Sequence, residues 1–166
     1  TTTHPYHGYV VDEILMRTQE LGYEVVLGPV STRQSSDRAS IEALVDSRVE
    51  ALILLNPVLD ATTLADLVSG IGTVCLGRPI DIAGIDVVRS DDTDGVGQMV
   101  DHLVGLGHRR IAHVDGGSTD LSAERCRGYE QAMRRQRLKP LVLAGGETPE
   151  DGYAAASSLT DYADVT

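Results

Sequence analysis

Apolar positions along the chain fall into two alternating kinds of segment. Between Tyr9 and Leu21, the residues Val10, Val11, Ile14, Leu15 and Leu21 recur at helical spacing, and Gly22 supplies a stop. Tyr23 to Leu27 (YEVVL) is a short β-branched run ended by Gly28 and Pro29, which predicts a strand. Ser36 or Asp37 is placed to cap a helix carrying Ile41, Leu44 and Val45. Ala51 to Leu55 (ALILL) reads as a strand stopped by Asn56 and Pro57, and Asp60 as the cap of a helix through Leu64, Leu67 and Val68. Strands at Thr73 to Leu76, ended by Gly77, and at Ile85 to Val88 come next. Asp92 or Thr93 then opens a helix carrying Val96, Met99, Val100, Leu103 and Leu106, closed by Gly107. Arg110 to Val114 predicts a strand, about Leu121 to Arg137 a helix, Leu141 to Leu143 a strand, and Pro149 to Leu159 a helix.

Short, nearly all-apolar strands separated by helices of this length imply a parallel sheet covered on both faces, an α/β doubly wound fold. In such sheets ligands bind beyond the carboxyl ends of the strands. That directs attention to Asn56, Gly77 and Arg78, Ser90 and Asp91, and the segment 115–119.

Composition narrows the picture. The chain of 166 residues is the size of one domain, and its 42% apolar and 23% charged content is that of a globular protein. Six tyrosines are its only aromatic residues, so the core is built from Leu, Val, Ile and Ala. The net charge of −11, from 25 acids against 14 bases, argues against this segment itself gripping nucleic-acid phosphates. No apolar run approaches the roughly 18–20 residues of a spanning helix, and no leader or lipidation motif is visible. Cys75 and Cys126 both fall in apolar or helical patterns and are expected as buried thiols, which points to the cytoplasm.

Most catalytic chemistry finds no support. There is no G-x-x-x-x-G-K-[ST] loop, no G-x-G-x-x-G after a strand and no G-x-S-x-G elbow. His4 and His7 lie three apart without a zinc pattern, and read as helix-start or ligand-facing residues. His102 is expected at the surface and His113 as a satisfied core histidine. Asp91, Asp92 and Asp94 suit the positive end of a helix, whose free N–H groups they can cap. The cluster His108, Arg109 and Arg110 suits a helix C-terminus, and Arg134, Arg135 and Arg137 a solvated helix end. Arg125 stands out, because a cation early in a helix is mildly unfavourable. Its planar fork of donors suits either a ligand's oxygens or a structural ion pair, and the sequence leaves both readings open.

One stretch carries more. Val88-x-x-Asp91-Asp92-x-x-Gly95, His102-Leu103, Leu106-Gly107-His108-x-x-Ile111 and Arg125-x-x-Gly128-Tyr129 occur in that order. Upstream, His4-Pro5-Tyr6-His7 precedes a helix ending at Leu21-Gly22-Tyr23. In these elements nearly the whole chain resembles the LacI/GalR family of bacterial transcription regulators. The resemblance implies a periplasmic-binding-protein-like core of two α/β subdomains with an effector in the cleft between them. Residues 1–115 would form the N-terminal subdomain, without its first strand, and 116–166 the start of the second. The missing strand would normally sit centrally, so exposed sheet edges are expected. No DNA-binding helix-turn-helix is recognisable, nor a later Asn-Asp-x-x-Ala element.

The resemblance also implies site residues. Tyr6 and His7 match an aromatic pair lining the cleft, with His7 replacing the usual second aromatic ring. Leu55 ends a strand where a polar contact is sometimes found, and Arg78 stands at the cleft rim. Thr119 and Ser122 lie in the loop before Arg125, which matches the family's effector-anchoring arginine. Gly107-His108 and Gly128-Tyr129 read as structural. The expected function is the ligand-sensing core of a regulator, not an enzyme, needing no cofactor or metal. A sugar or nucleoside-like effector would control operator binding by the intact cytoplasmic homodimer, which touches DNA only through a separate helix-turn-helix. The rival readings are a solute-binding protein of a sugar transporter and a small α/β enzyme.

Overall fold

The computed structural model describes residues 5–29, 34–146, 148–159, 162 and 165. The chain divides into two compact units, Thr1–Arg89 and Ser90–Thr166. The division falls earlier than the 115/116 boundary read from the sequence.

The first unit contains α1 (Pro5–Glu20), α2 (Gln34–Asp46), β1 (Ala51–Leu55), α3 (Ala61–Leu67), β2 (Gly72–Leu76) and β3 (Ile85–Val88). Proline at the first helical position has no N–H to waste and a pre-set φ, so α1 starts at Pro5 rather than Tyr9. It ends as expected at Gly22, whose φ of 80° lets Tyr23 N–H return to the Thr18 carbonyl at 2.9 Å. The helix α2 begins before the expected cap, at Gln34. Asp37 therefore lies in its first turn, nearly buried, and its carboxylate accepts the Val58 N–H at 2.8 Å. Asp60 caps α3 as expected, accepting from Thr63 N–H at 3.0 Å.

The three strands are parallel in the order β1-β2-β3, with Ala51 opposite Gly72 and Thr73 opposite Ile85. Leu52 and Leu54 point into a core with Ile41, Leu59, Leu64 and Val68. The opposite face of β1 is not covered as the apolar pattern suggested: Ile53 is 46% exposed. Nor does the run Tyr23 to Leu27 form a strand. It makes no ladder, and Val26 and Leu27 are exposed. β-branched residues favour extended backbone, yet a strand exists only through a partner's hydrogen bonds. Here β1 is the edge of the sheet, and no described strand pairs along its outer side. The run instead ends against α2, where a Cβ at Gly28 would lie 3.1 Å from Leu44 Cδ1.

The second unit contains α4 (Asp92–Gly105), β4 (Ala112–Val114), α5 (Asp120–Arg135), β5 (Leu141–Leu143) and α6 (Pro149–Leu159). β4 and β5 pair in parallel, with Ala112 opposite Leu141. Val100, Ile111, Tyr129, Ala132 and Met133 form its core, joined by Val96, Leu103, Val104 and Leu138. Because α4 packs on α5 through this core and β4 pairs with β5, residues 90–115 belong with the second unit rather than the first. Gly107 closes α4 with φ 99°, and Arg109 adds hydrogen bonds to the Val104 and His108 carbonyls at 2.8 Å, a cation at a helix's negative end. α5 ends at Arg135, two residues before the expected limit, where Arg137 adopts φ 59°.

The Tyr129 hydroxyl ties β4 to β5: it donates to the Ile111 carbonyl at 2.7 Å and accepts the Leu141 N–H at 2.7 Å. Both cysteines are free; Cys75 is fully buried, but Cys126 is only half-buried, short of the expectation. Among the described residues no helix is long and apolar enough to cross a membrane.

Candidate functional site

In the first unit the predicted residues gather at the carboxyl ends of β1 and β2. Asn56 extends β1 by one ladder bond, its N–H donating to the Leu76 carbonyl at 2.9 Å, and then turns into the left-handed region at φ 47°. That turn aims its amide at His7, with Nδ2 3.1 Å from Nε2. The Asn56 Oδ1 is buried, with no hydrogen-bond partner among the described residues. Gly77, at φ 86°, makes room for it: a Cβ there would fall 2.1 Å from Oδ1. The Tyr6 ring lies 5.9 Å from His7, tilted by 57°, and is 61% exposed.

Two of the predicted contacts have other work. Arg78 Nη1 donates to the carbonyls of Pro57, at 2.9 Å, and Leu59, clamping the β1–α3 loop. Leu55 is half-buried, pairs with Leu76 and offers only apolar surface. Burial pushes the neighbouring Cys75 thiol up, against the lowering effect of Arg78, which keeps it protonated and inert at neutral pH.

In the second unit the site is the loop after β4 and the starts of α4 and α5. Asp115 accepts the N–H groups of Gly117 and Gly145, each at 3.0 Å, and the Gly145 and Gly117 bonds hold its carboxyl below the usual value. Ser122 Oγ accepts the Gly116 N–H at 2.8 Å, and Thr119 caps α5 by accepting the Ser122 N–H at 3.2 Å. Thr119 and Ser122 thus shape the loop. Asp91 caps α4 by accepting the Asp94 N–H at 3.0 Å, the capping role expected of this acidic cluster.

Arg125 donates through Nε to Asp92 Oδ1 at 2.8 Å, so the ion-pair reading holds. The pair is unevenly placed. The Asp92 side chain is 11% exposed and that of Arg125 52%. Among the described residues the two terminal Nη groups of Arg125 make no hydrogen bond. His113 stacks on Tyr129 with ring centroids 5.1 Å apart and planes 18° from parallel. Contrary to the expectation of a satisfied histidine, its Nε2 is buried with no hydrogen-bond partner among the described residues. Burial holds its pKa below the ordinary 6.5; Asp115 opposes that shift and Arg125 reinforces it.

Tyr6, His7 and Asn56 are therefore brought together in one unit, and Thr119, Ser122 and Arg125 in the other. Asn56 and Asp92 support these side chains without having been expected as contacts. Asn56 was legible as a polar residue directly after a strand. The Asp92 link, across 33 positions, carried no sequence signal. His4 lies outside the described residues. Among the described residues no group of three or more His, Cys, Asp or Glu could hold a metal.

Comparison with known proteins places these features in context. The model of a family described as periplasmic binding proteins and sugar binding domain of LacI family matches residues 1–162. The chain is 26% identical over 169 residues to the HTH-type transcriptional repressor PurR of Haemophilus influenzae, covering 96% of this chain and 49% of that protein. A LacI transcriptional regulator from a Rhodococcus species superposes with a TM-score of 0.88 at 33% identity, over 96% of this chain and 60% of its own. The lac repressor dimer bound to operator and the anti-inducer ONPF shares the fold, with a TM-score of 0.77 at 21% identity, over 93% of this chain and 55% of its own. The chain spans about half the length of the curated relatives it matches.

Proposed function

The chain belongs to the family of periplasmic binding proteins and LacI-type sugar-binding domains, and from that membership we propose that it is the effector-sensing core of a DNA-binding transcription regulator. The observation that carries the reading is Arg125. It is fixed by one nitrogen, half-exposed, and beside the carboxyl end of β4, with its Nη groups left to offer. A guanidinium so held presents paired donors, suited to adjacent hydroxyl or carbonyl oxygens of a sugar or nucleoside-like compound. Within the first unit, Tyr6 and His7, the latter braced by Asn56, present an aromatic surface and a polar edge of their own. A ligand can shift a two-state equilibrium only through differential affinity for its states. The effector would act on the intact cytoplasmic homodimer in this way, changing operator binding through a DNA-binding segment outside these residues.

The named relatives are transcriptional regulators, which favours this reading over solute transport or catalysis. The test is a thermal-shift screen of the whole protein carrying this chain against neutral sugars, nucleosides and purine bases. One class is expected to raise the melting temperature, and Arg125→Ala to abolish the rise. A protein stabilised by none of them, or equally stabilised without Arg125, contradicts the proposal.

A further inference from the structure

The ion pair that holds Arg125 does more than fix it. A guanidinium beside a helix N-terminus is ordinarily an anion site, because free N–H groups, the helix dipole and a delocalised cation all favour negative charge. Arg125 meets the first turn of α4, so the ingredients are present. Yet both acceptor roles there are taken from within the chain. Asp91 caps the free N–H of Asp94, and the Asp92 carboxylate accepts from Arg125. The approach is enforced by packing: a Cβ at Gly128, one turn beyond Arg125, would fall 2.6 Å from the carbonyl oxygen of Thr93, the residue after Asp92. Only glycine lets the start of α4 come this near α5. Asp92 is the more buried partner, which keeps water from loosening the pair, while the Arg125 side chain as a whole stays half-exposed. Asp94 on α4 and Asp115 in the loop after β4 add negative charge to the same unit.

We infer that Asp92 is a positioning and specificity-determining residue for Arg125: its carboxylate orients the guanidinium through Nε and occupies the place an anion would take, so the site selects an uncharged, hydroxyl-rich ligand over its phosphorylated counterpart. This rests on the reading that Arg125 holds the effector. Two Nη donors on a charge-cancelled arginine suit neutral acceptor oxygens. A phosphate brought to the same spot meets an arginine already neutralised and a neighbouring carboxylate that repels it.

Inorganic phosphate is a probe that needs no knowledge of the effector. The readout is the Arg125 Nε–Hε resonance of the whole protein, assigned by its loss in Arg125→Gln. In the unsubstituted protein the resonance should be resolved, slow to exchange with water and unmoved by tens of millimolar phosphate. Asp92→Asn keeps the shape and removes the charge. It should bind phosphate at least about tenfold more tightly at this resonance, and the gain should vanish in Asp92→Asn/Arg125→Gln. Asp92→Ser serves as the second variant should the asparagine not fold; if neither folds, the unsubstituted protein decides. Phosphate binding at Arg125 in that protein, a freely exchanging Nε–Hε, or no gain on removing the carboxylate would each overturn the inference. Failure here, with Arg125→Ala still abolishing the effector response, removes the role of Asp92 alone. An Arg125→Ala variant with an undiminished effector response removes the effector reading instead.

Discussion

Gly128 on α5 lies so close to Thr93 on α4 that a Cβ there would fall 2.6 Å from the Thr93 carbonyl oxygen and 2.9 Å from its Cα. The neighbour is backbone, which cannot rotate away. Gly128→Ala should therefore destabilise the second unit by about 1–3 kcal/mol, as overpacking does, despite the better helix propensity of alanine. Thermal or urea denaturation checks this. A neutral or stabilising effect would mean that the two helices separate without cost.

Tyr129 is 1% exposed, and its hydroxyl satisfies two backbone groups, one in the residue just before β4 and one at the start of β5. Tyr129→Phe keeps the ring and its stacking on His113 but leaves a carbonyl and an N–H without this partner. A loss of about 1–3 kcal/mol is expected in urea unfolding. Hydrogen exchange at the Leu141 amide should rise with it.

His113 is half-buried with its Nε2 enclosed, and burial holds its pKa below the ordinary 6.5. The unfolded state then takes up the proton first as pH falls. Stability from this residue is complete above about pH 6.5 and declines as pH falls toward the folded-state value. His113→Phe, which retains an aromatic ring against Tyr129, should flatten that decline between about pH 7 and 5. The carboxyl of Asp115 is also lowered, from 3.8, so its contribution is lost only at more acid pH, outside this window. Urea midpoints across the two ranges separate the residues.

Arg78 clamps the loop after β1 by donating to the Pro57 and Leu59 carbonyls. Arg78→Ala should lower the stability of the first unit by about 1–3 kcal/mol. It should do so in the absence of any small molecule, which a residue serving only the effector would not do.

The sequence made most elements legible because their signals are local. Pro5, Gly22, Asp60 and Gly107 set helix ends through their own backbone chemistry, and the apolar runs at Ala51 to Leu55 and Leu141 to Leu143 match β1 and β5 residue for residue. Tyr23 to Leu27 shows the limit of such signals: its composition says extended, but pairing depends on a neighbour the run cannot specify. The boundary at Ser90 was hidden for a similar reason, since α4 is assigned by its packing on α5 rather than by its own pattern. Within the site, Arg125 was legible as a misplaced cation. Its partner was not, because an ion pair across 33 positions leaves no periodicity. The loop contacts of Asp37 and Arg78 were not legible because their targets, the Val58 amide and the Pro57 and Leu59 carbonyls, belong to one distant loop.

Arg125 as the anchor of an effector that changes DNA binding is tested most directly by operator binding. The whole protein, wild type and Arg125→Ala, is titrated with the compound that the thermal screen identifies. Equal operator affinity is predicted without that compound. The effector-linked change should be reduced by about 1–3 kcal/mol in the variant, roughly fivefold or more in concentration. Operator affinity that responds to the compound identically in both proteins would contradict the role of Arg125.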